Sequence, residues 1–193
     1  GDVSGHGLEA GILALIAQSA FNYGVYLLEN DIRDNPQIEM YEYVNKTLVL
    51  LSNLRAGSFS FMTQNYIFEN NGNFFCAGAH EIGLLYKNDT EKVVELKELS
   101  GNVPFMGIIT ELSALSSKFE FTMQKDDVLL LYTDGLIEAK NGDGVQFDVK
   151  RVSDILSKVG KKSVEEIKNE IIAQLTEYCK DGDLKKYNNS FAD

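Results

Sequence analysis

Two aspartates occupy positions in the sequence from which carboxylates could do chemistry. Asp2 heads the glycine-rich stretch GDVSGHG, whereas Asp134 follows the apolar run DVLLLYT and precedes Gly135. If the fold brings these carboxylates together, their mutual repulsion must be neutralised by a cation or a proton. Oxygen ligands alone favour Mg²⁺ or Mn²⁺ over zinc. The pair therefore predicts a site for a hard divalent cation.

Each aspartate also has an ordinary structural interpretation, and both interpretations stay open at this point. An aspartate between a strand and a glycine commonly forms a type I turn, and an aspartate before a helix commonly caps it. The glycines of GDVSGHG are typical of plain turns as well as of a backbone that approaches a ligand closely. Only the combination of the two acids favours a metal site.

The rest of the sequence predicts helices, then antiparallel strands, then helices again. Helix-forming residues run from Leu8 to about Leu28 and predict a helix that is buried on most sides, and an amphipathic helix follows Pro36. Two β-rich runs then flank the turn signal Asn71-Gly72, and later runs complete an antiparallel meander of about six strands. Two helices follow, the second with a capping-box pattern. This order, without βαβ alternation, favours an α+β fold.

Composition narrows the class of protein. The 193 residues are 44% hydrophobic, which is enough for the core of one domain. The formal net charge of -11 argues against a nucleic-acid binder. We expect a soluble cytoplasmic domain without membrane contact, because no uninterrupted apolar run reaches the roughly 20 residues of a membrane helix. Cys76 and Cys179 lack metal-ligand spacing and are predicted to be buried free thiols.

Four motifs, in this order, carry a resemblance to a known family. They are GDVSGHG at 1–7, CAGAHEIGLLY at 76–86, GNVPFMGI at 101–108 and DDVLLLYTDGLIEA at 126–139. Together they resemble the bacterial metal-dependent serine/threonine phosphatases of the PPM (2C-type) family. The resemblance is to the branch that contains the stage II sporulation phosphatase SpoIIE and the RsbU-type stress-response regulators. The motif around LLLYTDGLIEA is specific, and GDVSGHG is moderately so.

The resemblance implies an α+β fold in which an antiparallel β-sandwich is flanked by helices, in αββα layers. Residues 1–193 would form a single phosphatase-like domain. Compared with the usual pattern of the family, this domain is expected to be truncated at both ends. It lacks the acid-bearing N-terminal β-hairpin and the closing C-terminal strand. The unpaired sheet edges that result favour association between chains, by edge-to-edge pairing or as a swapped homodimer.

The resemblance also implies a set of metal ligands. By position, Asp2 is similar to the aspartate that bridges two ions, and the Val3 carbonyl is similar to a backbone ligand of the second ion. Asp134 corresponds to the aspartate of the TDG motif, and Asp193 to the first acid of a late acidic pair. Two Mn²⁺ or Mg²⁺ ions would activate a water for in-line hydrolysis without a covalent intermediate. No side chain is then expected to act as the catalytic nucleophile.

Four further residues near these ligands are candidates for the second shell or the phosphate loop. They are Ser4, Gly5, His6 and Gly135. Ser4 is interpreted as part of the loop and not as a nucleophile. His6 follows the bridging aspartate by four residues instead of the two found in eukaryotic relatives, so a proton-donor role is not carried across. A loop-stabilising hydrogen bond is the preferred interpretation of His6.

The implied function is hydrolysis of phosphoserine or phosphothreonine on a protein, with an anti-sigma-factor antagonist as the expected substrate. An upstream sensor or receiver domain would regulate it. A catalytically inactive phosphatase-like binding module is the alternative, but the presence of Asp2, Asp134 and Asp193 favours the enzyme. A small-molecule phosphatase is not distinguished by these residues. Residues 1–193 alone are expected to bind metal weakly and to show little or no activity.

Overall fold

The computed structural model of the protein describes residues 1–29, 36–54, 61–80, 83–96, 105–110 and 118–184. The helices described in these ranges are α1 (Leu8–Glu29), α2 (Pro36–Leu54), α3 (Asp134–Glu138), α4 (Asp148–Val159) and α5 (Val164–Cys179). The strands described there are β1 (Asp2–Val3), β2 (Met62–Asn70), β3 (Asn73–Ala79), β4 (Leu84–Lys87), β5 (Lys92–Glu95), β6 (Lys118–Thr122) and β7 (Val128–Leu130). The α+β class expected from the sequence is confirmed.

The strands form two antiparallel sheets, and the chain divides into two compact units. The first unit comprises Gly1–His80 and Lys97–Thr122, and the second comprises Glu81–Leu96 and Met123–Asp193. Strand order is β1-β2-β3-β6 in the first unit and β5-β4-β7 in the second. The predicted simple meander is therefore wrong. The β4–β5 hairpin lies between β3 and β6 in sequence but belongs to the other sheet, so β6 pairs with β3 and β7 with β4.

The long hairpin of the first unit forms as its turn signal predicts. β2 and β3 pair from Gln64↔Ala79 to Asn70↔Asn73. Between them, Asn71 and Gly72 both have positive φ, 52° and 79°. A two-residue hairpin turn with left-handed backbone at both positions matches the right-handed twist of the strands, and Asn-Gly adopts it most easily. The turn thereby fixes the register of the whole hairpin.

Helix α1 is less buried than the sequence predicts. Its buried stripe contains Leu13, Ala17 and Ala20, which join the core that α2 and the first sheet form. Other large apolar residues of the helix are exposed, namely Leu8, Leu15, Tyr23 and Tyr26. The prediction of burial on most sides is wrong, because only the face with three- and four-residue spacing packs inward. By length and composition α1 could also cross a membrane, a test that core helices and signal sequences pass as well.

The second unit is built on a mainly aliphatic core that also contains Tyr86 and Phe147. Helix α4 contributes four buried residues, and Ile167 and Ile171 of α5 pack against the same cluster as β4. The capping box predicted at the start of α5 is confirmed. The Ser163 hydroxyl accepts from the Glu166 N–H at 3.3 Å, and the Ser163 N–H donates to Glu166 Oε2 at 3.1 Å. Helix α5 therefore begins where the local sequence specifies.

Candidate metal and phosphate site

The glycine-rich loop at the start of the chain is held by β2. β1 pairs with β2 through Asp2↔Thr63 and Val3↔Met62, a two-residue strand that the sequence does not predict. Beyond it, the Ser4 N–H donates to the Phe61 carbonyl at 2.8 Å, and the Phe61 N–H donates to Ser4 Oγ at 3.0 Å. Ser4 is thus a structural residue of this loop.

Glycines then turn the chain from the loop into helix α1. Gly5 and Gly7 have φ values of 88° and 84°, a left-handed conformation that side chains other than glycine disfavour. The Gly7 carbonyl accepts from the Gly11 N–H, which starts the helix. The sharp turn places Asp2 and His6 on exposed parts of the same short segment.

The side chains of Asp2, Val3 and His6 differ in exposure and in their contacts. Asp2 is exposed, and its carboxylate has no hydrogen-bond partner among the residues that the structure describes. Val3 is half-buried opposite Met62. The imidazole of His6 is exposed, and within the described ranges nothing donates to it or accepts from it. The Asp2 carboxylate is therefore available to a ligand from solution.

Asp134 begins the short helix α3, four residues after β7 ends at Leu130. Thr133 precedes it in extended conformation, and its carbonyl accepts from the Leu136 N–H at 3.0 Å. Asp134 Oδ1 accepts from the Gly135 N–H at 2.8 Å. Its Oδ2 has no partner in the described part of the chain. Leu136 and Ile137 pack against the core of the second unit, so the apolar side of this short helix keeps the carboxylate on the exposed side.

Gly135 shows no steric demand for glycine. Apart from its two chain neighbours, a Cβ built there would meet only Thr133 Oγ1, at 3.8 Å, among the residues that the structure describes. The small size of this residue is therefore unnecessary for the fold of the turn itself. The lack of a side chain at Gly135 leaves space beside the Asp134 carboxylate.

The predicted ligands lie in different parts of the chain. Asp2 and Val3 belong to the first unit and Asp134 to the second, and Asp193 lies outside the described residues. Within the described ranges, no group of three or more His, Cys, Asp or Glu side chains forms a metal site by itself. Exposed carboxylate oxygens with open coordination positions do fit Mg²⁺ or Mn²⁺, which prefer such ligands. The donor chemistry of Asp2 and Asp134 is thus the chemistry that these ions require.

A buried asparagine supports the third motif, and the sequence analysis missed it. Asn45 on α2 is fully buried; its Nδ2 donates to the Ile109 carbonyl at 2.8 Å, and its Oδ1 accepts from the Gly107 N–H at 2.8 Å. Next to this loop, Met106 forms a bridge with Met62, the residue opposite Val3. The sequence does contain a signal for Asn45, because it is a polar residue on the apolar face of α2, four residues after Tyr41.

Two residues at the end of the first hairpin were also not singled out as a pair. The Thr63 hydroxyl and His80 Nδ1 are 2.9 Å apart, and Thr63 is the residue that pairs with Asp2. No local sequence pattern connects the two residues, because they lie on different strands.

The cysteines carry no chemistry in this arrangement. Both are free and buried, as predicted. Burial raises the pKa of the Cys76 thiol to about 12, so it stays protonated at neutral pH. A protonated buried thiol is a poor nucleophile and a poor metal ligand.

The sequence model of the stage II sporulation protein E (SpoIIE) family matches residues 1–185. The chain belongs to the SpoIIE family. This membership agrees with the resemblance that the four motifs indicate. None of the curated proteins compared with the chain matches it.

Two solved structures are similar to this SpoIIE-family chain. The SiaA-PP2C domain of Pseudomonas aeruginosa has a TM-score of 0.69 and 20% identity, covering 94% of this chain and 67% of that one. The RsbU and RsbW domains of a Mycobacterium tuberculosis protein give a TM-score of 0.65 and 19% identity. That match covers 91% of this chain and 46% of the other. Both similarities identify the PP2C-type fold.

Family and fold together place the chain among the PP2C-type, SpoIIE-like phosphatases. The PP2C family typically uses divalent metals. The Mycobacterium tuberculosis structure contains RsbU and RsbW domains of one protein, so that relative has more than one domain.

Proposed function

We propose that residues 1–193 form a metal-dependent phosphatase domain that hydrolyses phosphoserine or phosphothreonine on a protein. SpoIIE-family membership and the PP2C-type fold support the reaction class. The observation that carries the proposal is the state of the two motif aspartates. Asp2 and Asp134 are both exposed, and each retains at least one carboxylate oxygen without a partner in the described part of the chain.

The proposed ligands are the carboxylates of Asp2, Asp134 and Asp193 and the carbonyl of Val3, and they would hold Mn²⁺ or Mg²⁺. When bound, the ions supply an activated water and positive charge beside the phosphoryl oxygens. The protein's own part is to present oxygen ligands from fixed backbone. Ser4 Oγ accepts a hydrogen bond from the Phe61 N–H, which agrees with a mechanism that needs no serine nucleophile.

We propose an anti-sigma-factor antagonist as the substrate and an upstream sensor or receiver domain as the regulator, in the bacterial cytoplasm. The support is membership of the SpoIIE family and the similarity to the Mycobacterium tuberculosis structure, whose RsbU and RsbW domains occur in one protein. A phosphorylated protein domain also suits a site whose ligands are exposed, because a bulky substrate can reach them.

The test is hydrolysis of p-nitrophenyl phosphate by the full-length protein in the presence of Mn²⁺. Wild type is compared with Asp2→Asn and Asp134→Asn, each of which removes one ligand charge. We expect a loss of about a hundredfold or more in kcat for each, because metal ligands contribute several kcal/mol to the barrier. The matched control is Asp154→Asn, an exposed aspartate on α4, which should stay within about twofold.

The substrate is tested next, with a phosphoserine or phosphothreonine antagonist domain against a phosphotyrosine peptide. Preference for the antagonist domain would support the proposed substrate. A wild type that lacks turnover in both Mn²⁺ and Mg²⁺ would contradict the enzyme and favour the inactive binding module. Equal activity of Asp134→Asn and wild type would contradict the assignment of the ligands.

A further inference from the structure

His80, which directly follows β3, makes two hydrogen bonds to residues of β2. The His80 ring nitrogen Nδ1 is 2.9 Å from the Thr63 hydroxyl, and the His80 carbonyl accepts from Asn65 Nδ2 at 2.6 Å. Thr63 and Asn65 are two apart on β2, so their side chains lie on the same face of the strand. Ring and backbone of His80 are therefore held by one face of β2.

Close backbone packing makes this placement precise. Gly78 has φ of 127°, and a Cβ at that position would lie 2.0 Å from the Gln64 carbonyl oxygen. Only glycine allows β3 to come this near to β2. The backbone of the hairpin therefore positions the chain that leads into His80 independently of the side-chain hydrogen bonds.

The other edge of β2 carries Asp2. Thr63 pairs with Asp2 across the sheet, and Thr63 Oγ1 is 3.5 Å from the Asp2 carbonyl oxygen. β1 has only two residues, and so short an edge strand gains little stability from its own ladder. The Thr63 side chain therefore lies between His80 on one side and the backbone of Asp2 on the other.

We propose that His80 is a positioning residue: acting through the Thr63 hydroxyl, it fixes the backbone of Asp2 and so the carboxylate that binds metal. The inference rests on the proposed function, because it assigns Asp2 to the metal. A hydroxyl has a single proton to donate. When Thr63 donates it to the Asp2 carbonyl, His80 donates from Nδ1 to Thr63 Oγ1. One chain of donors then runs from the end of β3 through β2 to β1.

This role is distinct from simple support of the hairpin. The β2–β3 ladder and its Asn71-Gly72 turn hold the hairpin without Thr63 or His80 side chains. Loss of the Thr63 hydroxyl should therefore leave the hairpin folded and loosen β1 alone. Residues that orient a metal ligand typically change metal affinity by about 10- to 100-fold when they are removed.

The experiment measures Mn²⁺ binding by the electron paramagnetic resonance signal of free Mn²⁺, which requires no turnover. Full-length wild type is compared with Thr63→Val, which keeps the shape and loses the hydroxyl, and with His80→Ala. Both variants should weaken Mn²⁺ binding about tenfold or more. KM for p-nitrophenyl phosphate at saturating Mn²⁺ should stay within about twofold, and the melting temperature within about 3 °C.

Two conservative variants test whether the hydrogen bond itself is responsible. Thr63→Ser retains the hydroxyl, and His80→Asn retains a donor near the position of Nδ1, so both should bind Mn²⁺ within about threefold of wild type. Thr90→Val, in the turn between β4 and β5, is the control for the loss of a hydroxyl elsewhere.

The inference is overturned if Thr63→Val binds Mn²⁺ as tightly as wild type, or if Mn²⁺ affinity falls only together with the melting temperature. Failure of the proposed function shows differently, as a wild type that binds Mn²⁺ without hydrolysing a phosphate ester. A wild type that binds no Mn²⁺ would refute both.

Discussion

The two units hold their motif aspartates in contrasting ways. In the first unit, Asp2 lies on a two-residue strand whose partners, Thr63 and Met62, are about sixty residues away in sequence. In the second unit, Asp134 is the first residue of α3, where the hydrogen bonds are local: the Leu136 N–H donates to the Thr133 carbonyl, and the Gly135 N–H donates to Asp134 Oδ1. The position of Asp2 therefore depends on tertiary structure, whereas that of Asp134 is largely a local property.

The cores of the two units also differ, in the kind of side chain that they bury. The first contains Tyr41 and Tyr66 in edge-to-face contact, and the fully buried Asn45. The second consists mainly of aliphatic residues of α4, α5 and β4, together with the buried rings of Tyr86 and Phe147, and no buried amide is described in it. The buried amide of Asn45 requires specific partners, and this specifies the geometry around it more narrowly than apolar packing does. The comparison predicts that polar substitutions damage the first unit most and apolar truncations the second.

The largest effect is expected from Leu156→Ala in the second unit. Leu156 on α4 is fully buried, and truncation removes apolar contacts and leaves a cavity. We expect the free energy of unfolding to fall by about 3 kcal/mol. Urea denaturation followed by circular dichroism measures it. Ile172→Ala, exposed on α5, is the control and should change stability by less than about 0.5 kcal/mol.

A loss below about 1 kcal/mol for Leu156→Ala would contradict an aliphatic core as the main support of the second unit.

Asn45→Ala tests the first unit and should cost somewhat less. It leaves the Gly107 N–H and the Ile109 carbonyl without their partner, and two unsatisfied buried groups cost about 2 kcal/mol. Hydrogen exchange should also become faster in residues 105–110. Asn22→Ala, exposed on α1, is the control. Unchanged exchange in that segment would show that Asn45 does not hold it.

Asp127→Asn tests the one buried ion pair described in the second unit. Asp127 Oδ2 accepts from Lys87 Nζ at 2.6 Å and from the Gln124 N–H at 2.9 Å, and Oδ1 accepts from the Asn88 N–H. Burial alone would raise the pKa of this carboxyl, but the hydrogen bonds and the Lys87 charge together lower it. We expect Asp127→Asn to lose about 1.5 kcal/mol at pH 7.

The pH dependence of this loss follows from the direction of the shift. A carboxyl whose folded pKa is depressed stabilises the protein above its unfolded pKa, about 3.9, and loses that contribution as the pH falls through the folded pKa. Wild type and Asp127→Asn should therefore converge in stability as the pH falls from about 4. Asp126→Asn, the exposed neighbour, is the control. A difference that persists at low pH would indicate packing, not charge.

The smallest effect is expected from Ser163→Ala, which removes the cap of α5. The loss should be about 1 kcal/mol, because one amide of the first turn loses its acceptor. Thermal denaturation measures it. Ser157→Ala, an exposed serine within α4, is the control. If both variants behave alike, the capping box contributes nothing to the second unit.

Features that depend on neighbouring residues could be predicted from the sequence. The start of α2 at Pro36, the Asn71-Gly72 turn and the capping box at Ser163 each rest on local backbone preferences. Strand pairing is not local. The run that became β6 gives no sign that it pairs with β3 and not with β5, and the two residues of β1 are too few for any pattern.

The residues of the candidate site divide in the same way, into those that a local motif reveals and those that only the fold brings together. Asp2 and Asp134 could be found because each sits in a distinctive short motif. Thr63 and His80 could not, since their relation to Asp2 exists only across strands. Asn45 could have been found as a polar residue on the apolar face of α2, but its partners could not be named from the sequence.

The Asn45 contacts also have a consequence for the order in which the first unit folds. They join residues 62 and 64 positions apart, and the entropy cost of closing a loop grows with its length. Helix α2 and the β2–β3 hairpin can form from contacts much nearer in sequence. The segment at 105–110 should therefore dock late, onto a surface that is already assembled, and in the native protein it should be among the first parts to detach.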